Sequence, residues 1–151
     1  DCLTIHQKEY LAVLIDRIDR QDGLGFLNLM SSAYKTIENI CKPSDPDWFT
    51  GILGFLLNHV PEETRKVGVV CYNGKNAEGE DCIFIKLRRS IEYDGLDLRQ
   101  VEDPIKKAFA DYYMGGGGHS GAASYRVASH DEKEFFLRFQ PVADFIKSSI
   151  K

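Results

Sequence analysis

The run Gly115-Gly116-Gly117-Gly118-His119-Ser120-Gly121-Ala122-Ala123 constrains this chain more than any other stretch. It separates a helical pattern that ends near Met114 from a strand-like stretch, Ser124-Tyr125-Arg126-Val127. Four consecutive glycines take every Cβ out of a loop, so a ligand can approach the backbone closely. Successive N–H groups in such a loop can turn toward a single anion and form a nest. His119 follows at once, with two ring nitrogens able to donate to a phosphate or a base. A flexible linker is the other reading of a glycine run. Linkers have polar, low-complexity flanks, and here both flanks are apolar.

The rest of the chain reads as a helical segment followed by an α+β unit. Tyr10, Leu11, Leu14, Ile15 and Ile18 repeat at helical spacing, which predicts a helix over residues 7–20. Gly23 and Gly25 interrupt it, and Phe26, Leu27, Met30, Ala33, Tyr34, Ile37 and Ile40 predict a second helix. A third begins where Asp45 can cap and Pro46 suits the first turn, and it runs to Pro61. Val67 opens a stretch rich in β-branched residues, and residues 67–72 and 81–89 predict the two strands of a hairpin. Asp103-Pro104 starts a helix over residues 104–114, and residues 121–128 read as a strand. Ser129 and Glu132 suggest a capping box for a last helix with the stripe Phe135, Phe136, Phe139, Val142, Ile146 and Ile150. Pro141 is expected to kink or split that helix. The predicted architecture is a helical segment over 1–64 and a compact mixed-sheet domain with flanking helices over 65–151.

Composition narrows the partners. The chain has 151 residues, 43% of them hydrophobic and 28% charged, which suits a soluble globular protein. A net charge of −4 gives no basic field over the whole surface and argues against non-specific duplex binding. No apolar run is long enough to span a bilayer, and the start carries no signal-peptide pattern, so a cytoplasmic setting without membrane is expected. The chain opens on Asp1 rather than Met, as a piece of a longer protein would. Cys2, Cys41, Cys71 and Cys82 show no metal spacing and are expected to be reduced thiols.

Along the predicted strand 83–89, Ile83, Ile85 and Leu87 point one way and Phe84, Lys86 and Arg88 the other. The second face offers two cations for phosphate and a ring that could stack on a base. A solvated sheet face fits the same pattern. Arg89 shares the apolar parity but stands at the strand end. Near the start, Asp16 and Asp19 would lie about 60° apart on a helix. Carboxylates there suit Mn²⁺ or Mg²⁺, while the alternating charges also suit a salt-bridged solvent face.

Gly-Gly-Gly-Gly-His-x-x-Ala-Ala closely resembles the signature of the C-terminal domain associated with DHH phosphoesterases and related exopolyphosphatases. Lys86-Leu87-Arg88-Arg89-Ser90 stands where that family carries an Arg-Ser element. The family usually has Gly where this chain has Ser124, and often Ser where it has Lys86. The likeness covers about residues 65–151. It implies that Gly115, Gly116, Gly117, Gly118 and His119 grip a terminal nucleotide, with Arg88, then Arg89 and Lys86, on a phosphate. The segment around Asp16 and Asp19 is similar to the stretch following the DHH element, which would bring one of them near a metal. The implied whole enzyme is a manganese-dependent phosphoesterase acting on short oligonucleotides, cyclic dinucleotides or small nucleoside phosphates. Its partners would be a nucleotide or single-stranded oligonucleotide, an N-terminal DHH domain and, in a homodimer, a second copy.

Asp-His-His itself is missing, and so is any Asp-x-Asp on a strand near the start. A two-metal site needs several carboxylates and a His converging on ions roughly 3.5–4 Å apart. The chain is therefore expected to bind substrate and to hydrolyse nothing alone. The alternative is a non-enzymatic nucleic-acid-binding module like the C-terminal domain of alanyl-tRNA synthetases.

Overall fold

The computed structural model describes residues 19–21, 23–28, 30, 66–90 and 93–150. These form a mixed sheet with helices on one side, an α+β arrangement. The strands are β1 (Asp19–Gln21), β2 (Leu24–Asn28), β3 (Val67–Lys75), β4 (Asp81–Arg89), β5 (Tyr113–His119) and β6 (Ala122–Ala128). Their order across the sheet is β1-β2-β3-β4-β6-β5. Only the β2–β3 pair is parallel. The helices are α1 (Glu102–Phe109) and α2 (Glu132–Ser149), and short 3-10 turns over Leu98–Val101 and Ala110–Tyr112 flank α1.

Strand alternation decides where the core sits. Val67, Val69 and Cys71 of β3, Ile83, Ile85 and Leu87 of β4, and Ala123, Tyr125 and Val127 of β6 share one buried face. Ile105 and Phe109 of α1 and Phe135, Phe139, Val142 and Ile146 of α2 cover it. The Tyr125 hydroxyl donates to the Leu98 carbonyl at 2.9 Å, tying the turn before α1 to the sheet. None of the described helices is long and apolar enough to cross a membrane.

The β3–β4 hairpin stands as the alternation predicts, with β4 over the expected residues. Several local predictions do not hold. Phe26 and Leu27 lie on a strand rather than a helix. Leu24 and Leu27 point to opposite faces yet both are buried, and an apolar run buried on both faces has no period that separates strand from helix. Asp19, read as helical, begins β1, and Gly23 at φ 89° turns that strand back onto β2. The helix before the glycines ends at Phe109, not near Met114, and the glycines themselves are strand β5.

Pro141 leaves α2 as one helix. Proline removes the hydrogen bond to the carbonyl four residues back, here that of Leu137, and Leu137 and Pro141 are both exposed, so water can serve that carbonyl. The cap of α2 is Asp131, whose carboxylate accepts from the Glu134 N–H at 2.8 Å, rather than Ser129. Most of residues 1–65, including Asp16 and the third predicted helix, lie outside the described residues.

Candidate functional site

The glycine run lies at the outer edge of the sheet. β5 pairs antiparallel with β6, matching Gly115 with Arg126, Gly116 with Tyr125, Gly117 with Ser124, Gly118 with Ala123 and His119 with Ala122. Gly115, Gly116 and Gly118 have φ of 115°, 150° and 156°, backbone that L side chains rarely adopt. A Cβ at Gly116 would collide with the Ser124 carbonyl oxygen and stand 2.6 Å from Tyr125 Cα. At Gly118 it would collide with the Ala122 carbonyl oxygen and stand 2.6 Å from Ala123 Cα. These glycines let β5 lie against β6. At Gly117 a Cβ would meet nothing within 4 Å. The expected nest of converging amides is not formed, because peptide groups along a strand alternate in direction.

Register then aligns side chains on the face away from the helices. Residues paired across an antiparallel ladder project to the same side. β4 pairs with β6 so that Arg88 faces Ala122, Lys86 faces Ser124 and Phe84 faces Arg126. The first row across the sheet is thus Gly68, Arg88, Ala122, His119, and the second is Val70, Lys86, Ser124, Gly117. Arg88 and His119 stand about 10 Å apart, two strand spacings. Small residues flank Arg88 on both sides. Lys86, Arg88, Gly117, Ala122 and Ser124 are among the residues lining a concavity of about 170 Å³. No acidic residue occupies this face of β3, β4, β5 or β6.

His119 is exposed, and its Nδ1 accepts the Gly121 N–H at 3.1 Å. That bond leaves Nε2 to carry the proton of the neutral ring and to donate outward. Arg89 takes a different place from Arg88. Its guanidinium donates to the Leu96 carbonyl at 3.0 Å and the Ser120 hydroxyl at 3.4 Å. The Arg89 N–H donates to the Gly121 carbonyl, and the Leu98 N–H to the Ser120 carbonyl. Arg89 therefore clamps the Ser120-Gly121 turn that carries His119.

Phe84 is engaged as well. Its ring stacks on Tyr72 at 5.1 Å between centroids and covers Gly74, where a Cβ would come within 2.7 Å. Arg126, on the same face as Arg88 and His119, is the cation the sequence reading passed over. Its strand parity was legible, but its neighbours are set by strand order. No group of three His, Cys, Asp or Glu residues that could hold a metal occurs among the described residues. Asp19 lies on β1, at the opposite edge of the sheet from the glycines. Cys71 and Cys82 are buried free thiols, and burial pushes both pKa values up, which makes them poor nucleophiles.

Among solved structures the chain is similar to one described as a member of the s1p family of ribosomal proteins, DHH domain. It matches over 97% of this chain at a TM-score of 0.58 and 16% identity. The fold is shared with a DHH-domain protein. This agrees with the resemblance carried by the glycine–histidine signature. The chain spans 31% of that protein's length. The C-Ala domain of alanyl-tRNA synthetase from Aquifex aeolicus matches 84% of this chain and 87% of its own, with 15% identity and a TM-score of 0.40. No family model and no curated protein matches the sequence.

Proposed function

We propose that this chain is the substrate-holding part of a DHH-family phosphoesterase and binds the phosphorylated end of a nucleotide or single-stranded oligonucleotide. The observation that carries this reading is the row Arg88, Ala122, His119 on an acid-free sheet face. The Arg88 and His119 side chains leave the sheet on one side, with only the Ala122 methyl between them. Each charge-assisted bond from such a group contributes roughly 1.5–3 kcal/mol. The open Gly117 edge admits the ligand against backbone. Arg89 acts through its hold on the turn.

The described residues contain no cluster fit for a metal, so no metal-assisted step is assigned to them. Manganese and hydrolysis would belong to an N-terminal DHH domain, whose partner role follows from the resemblance. A non-enzymatic nucleic-acid-binding module remains the second reading, and the same acid-free face favours it, because a local cationic patch answers the objection from net charge.

Calorimetric titration of the chain with nucleoside monophosphates tests the binding. Arg88→Gln and His119→Ala should each weaken affinity about tenfold or more while leaving the circular dichroism spectrum unchanged. Unchanged affinity in both would end the proposal. The chain alone should not hydrolyse oligonucleotides in the presence of Mn²⁺. If it does, the catalytic residues lie within it.

A further inference from the structure

The cationic face continues past the Arg88–His119 row. Side chains on one face of a strand recur every two residues, about 6.7 Å apart. Lys86 lies one such step along β4 from Arg88, and Phe84 one step further. Phe84 is paired with Arg126, which places Arg126 about 13 Å along the strand direction from the first row. No hydrogen bond or ion pair engages the Arg126 guanidinium among the described residues. A Cβ at Gly115 would stand 3.3 Å from its Nη2, so Arg126 leans over the edge strand where a glycine makes room for it. The face therefore presents three cationic steps: Arg88 with His119, then Lys86, then Arg126. No carboxylate of β3, β4, β5 or β6 stands on this face.

We infer that Arg126 is a distal phosphate contact, and that it makes the site select an extended single-stranded oligonucleotide over a mononucleotide. The inference rests on the binding reading above and adds a length threshold to it. A mononucleotide held at Arg88 and His119 cannot reach Arg126. An extended phosphodiester chain running along β4 and β6 reaches it once its later phosphates pass the Lys86 step.

Fluorescence titrations of the full chain with a mononucleotide, a dinucleotide and a tetranucleotide of thymidylate test this. In the parent chain affinity should rise about tenfold between dinucleotide and tetranucleotide. Arg126→Gln should abolish that rise and leave mononucleotide affinity unchanged. The salt dependence of tetranucleotide binding should flatten by about 0.7 in log–log slope, the loss of one single-strand phosphate contact. Arg126→Lys should keep the parent slope, which separates charge from folding. Equal weakening of mononucleotide and tetranucleotide by Arg126→Gln, or no effect on either, overturns the inference. Failure of the parent chain to bind any of the three instead overturns the binding reading on which it rests.

Discussion

The four glycines are not equivalent. Gly116 and Gly118 have φ values that disfavour side chains, and an added Cβ at either would strike β6 backbone. Gly117 has neither constraint and borders the concavity between Lys86 and Arg88. Gly118→Ala should therefore destabilise the fold by at least about 2 kcal/mol, measured by urea denaturation. Gly117→Ala should change stability by less than about 1 kcal/mol and yet weaken nucleotide binding, because its methyl projects into ligand space. Equal stability loss in both variants would show that the run is uniform. The sequence alone could not divide these roles, since φ and cross-strand packing depend on the neighbour β6. Arg88 and Lys86 could be read from simple alternation. Separating Arg88 from Arg89 required only parity, but the Leu96 and Ser120 partners of Arg89 come from remote segments.

Among the elements, the passage from α1 into β5 runs through a backbone geometry that side chains rarely adopt. Ala110 ends the helix at φ 49° and ψ −119°, and it is the only non-glycine with positive φ among the described residues. That backbone suits glycine. Ala110→Gly should raise stability by about 1 kcal/mol, since relief of strain outweighs the added chain entropy. A lower thermal midpoint would contradict this. The early end of α1 was hidden in the sequence because Tyr112 and Tyr113 continue its apolar spacing. In the structure Tyr112 is exposed and Tyr113 opens the strand, its hydroxyl bonded to Glu102. The β1–β2 hairpin left a clearer trace. Asp22-Gly23 is a favoured two-residue hairpin sequence, outweighed in the reading by helical spacing on either side. The long β3–β4 hairpin was legible because β3 opens on an unbroken apolar, β-branched run and β4 alternates apolar with polar residues.

At the scale of the whole molecule, one side of β4 and β6 packs the core and the other carries charge, while β2 and β3 are buried on both faces, with Leu27 and Val70 on the far side. Phe135 is fully buried, with ring contacts to Phe109 and Phe139 at 5.5 Å each. Phe135→Ala should cost about 3–5 kcal/mol in chemical denaturation. Any chain that stays folded should bind nucleotide as the parent does, because β4 and β6 stand between Phe135 and the cationic face. Loss of affinity in a folded Phe135→Ala protein would mean that the two sides are coupled. Net charge concealed this division: the total of −4 averages over acids placed elsewhere, while Lys86 and Arg88 of β4 and Arg126 of β6 share one side.

An edge built from glycine offers its visitor main-chain amides and carbonyls, which neither titrate nor respond to ionic strength as guanidinium groups do. Raising salt should therefore strip away grip along the arginine rows and leave whatever the bare rim contributes, so the residual affinity at high salt is a direct reading of that rim.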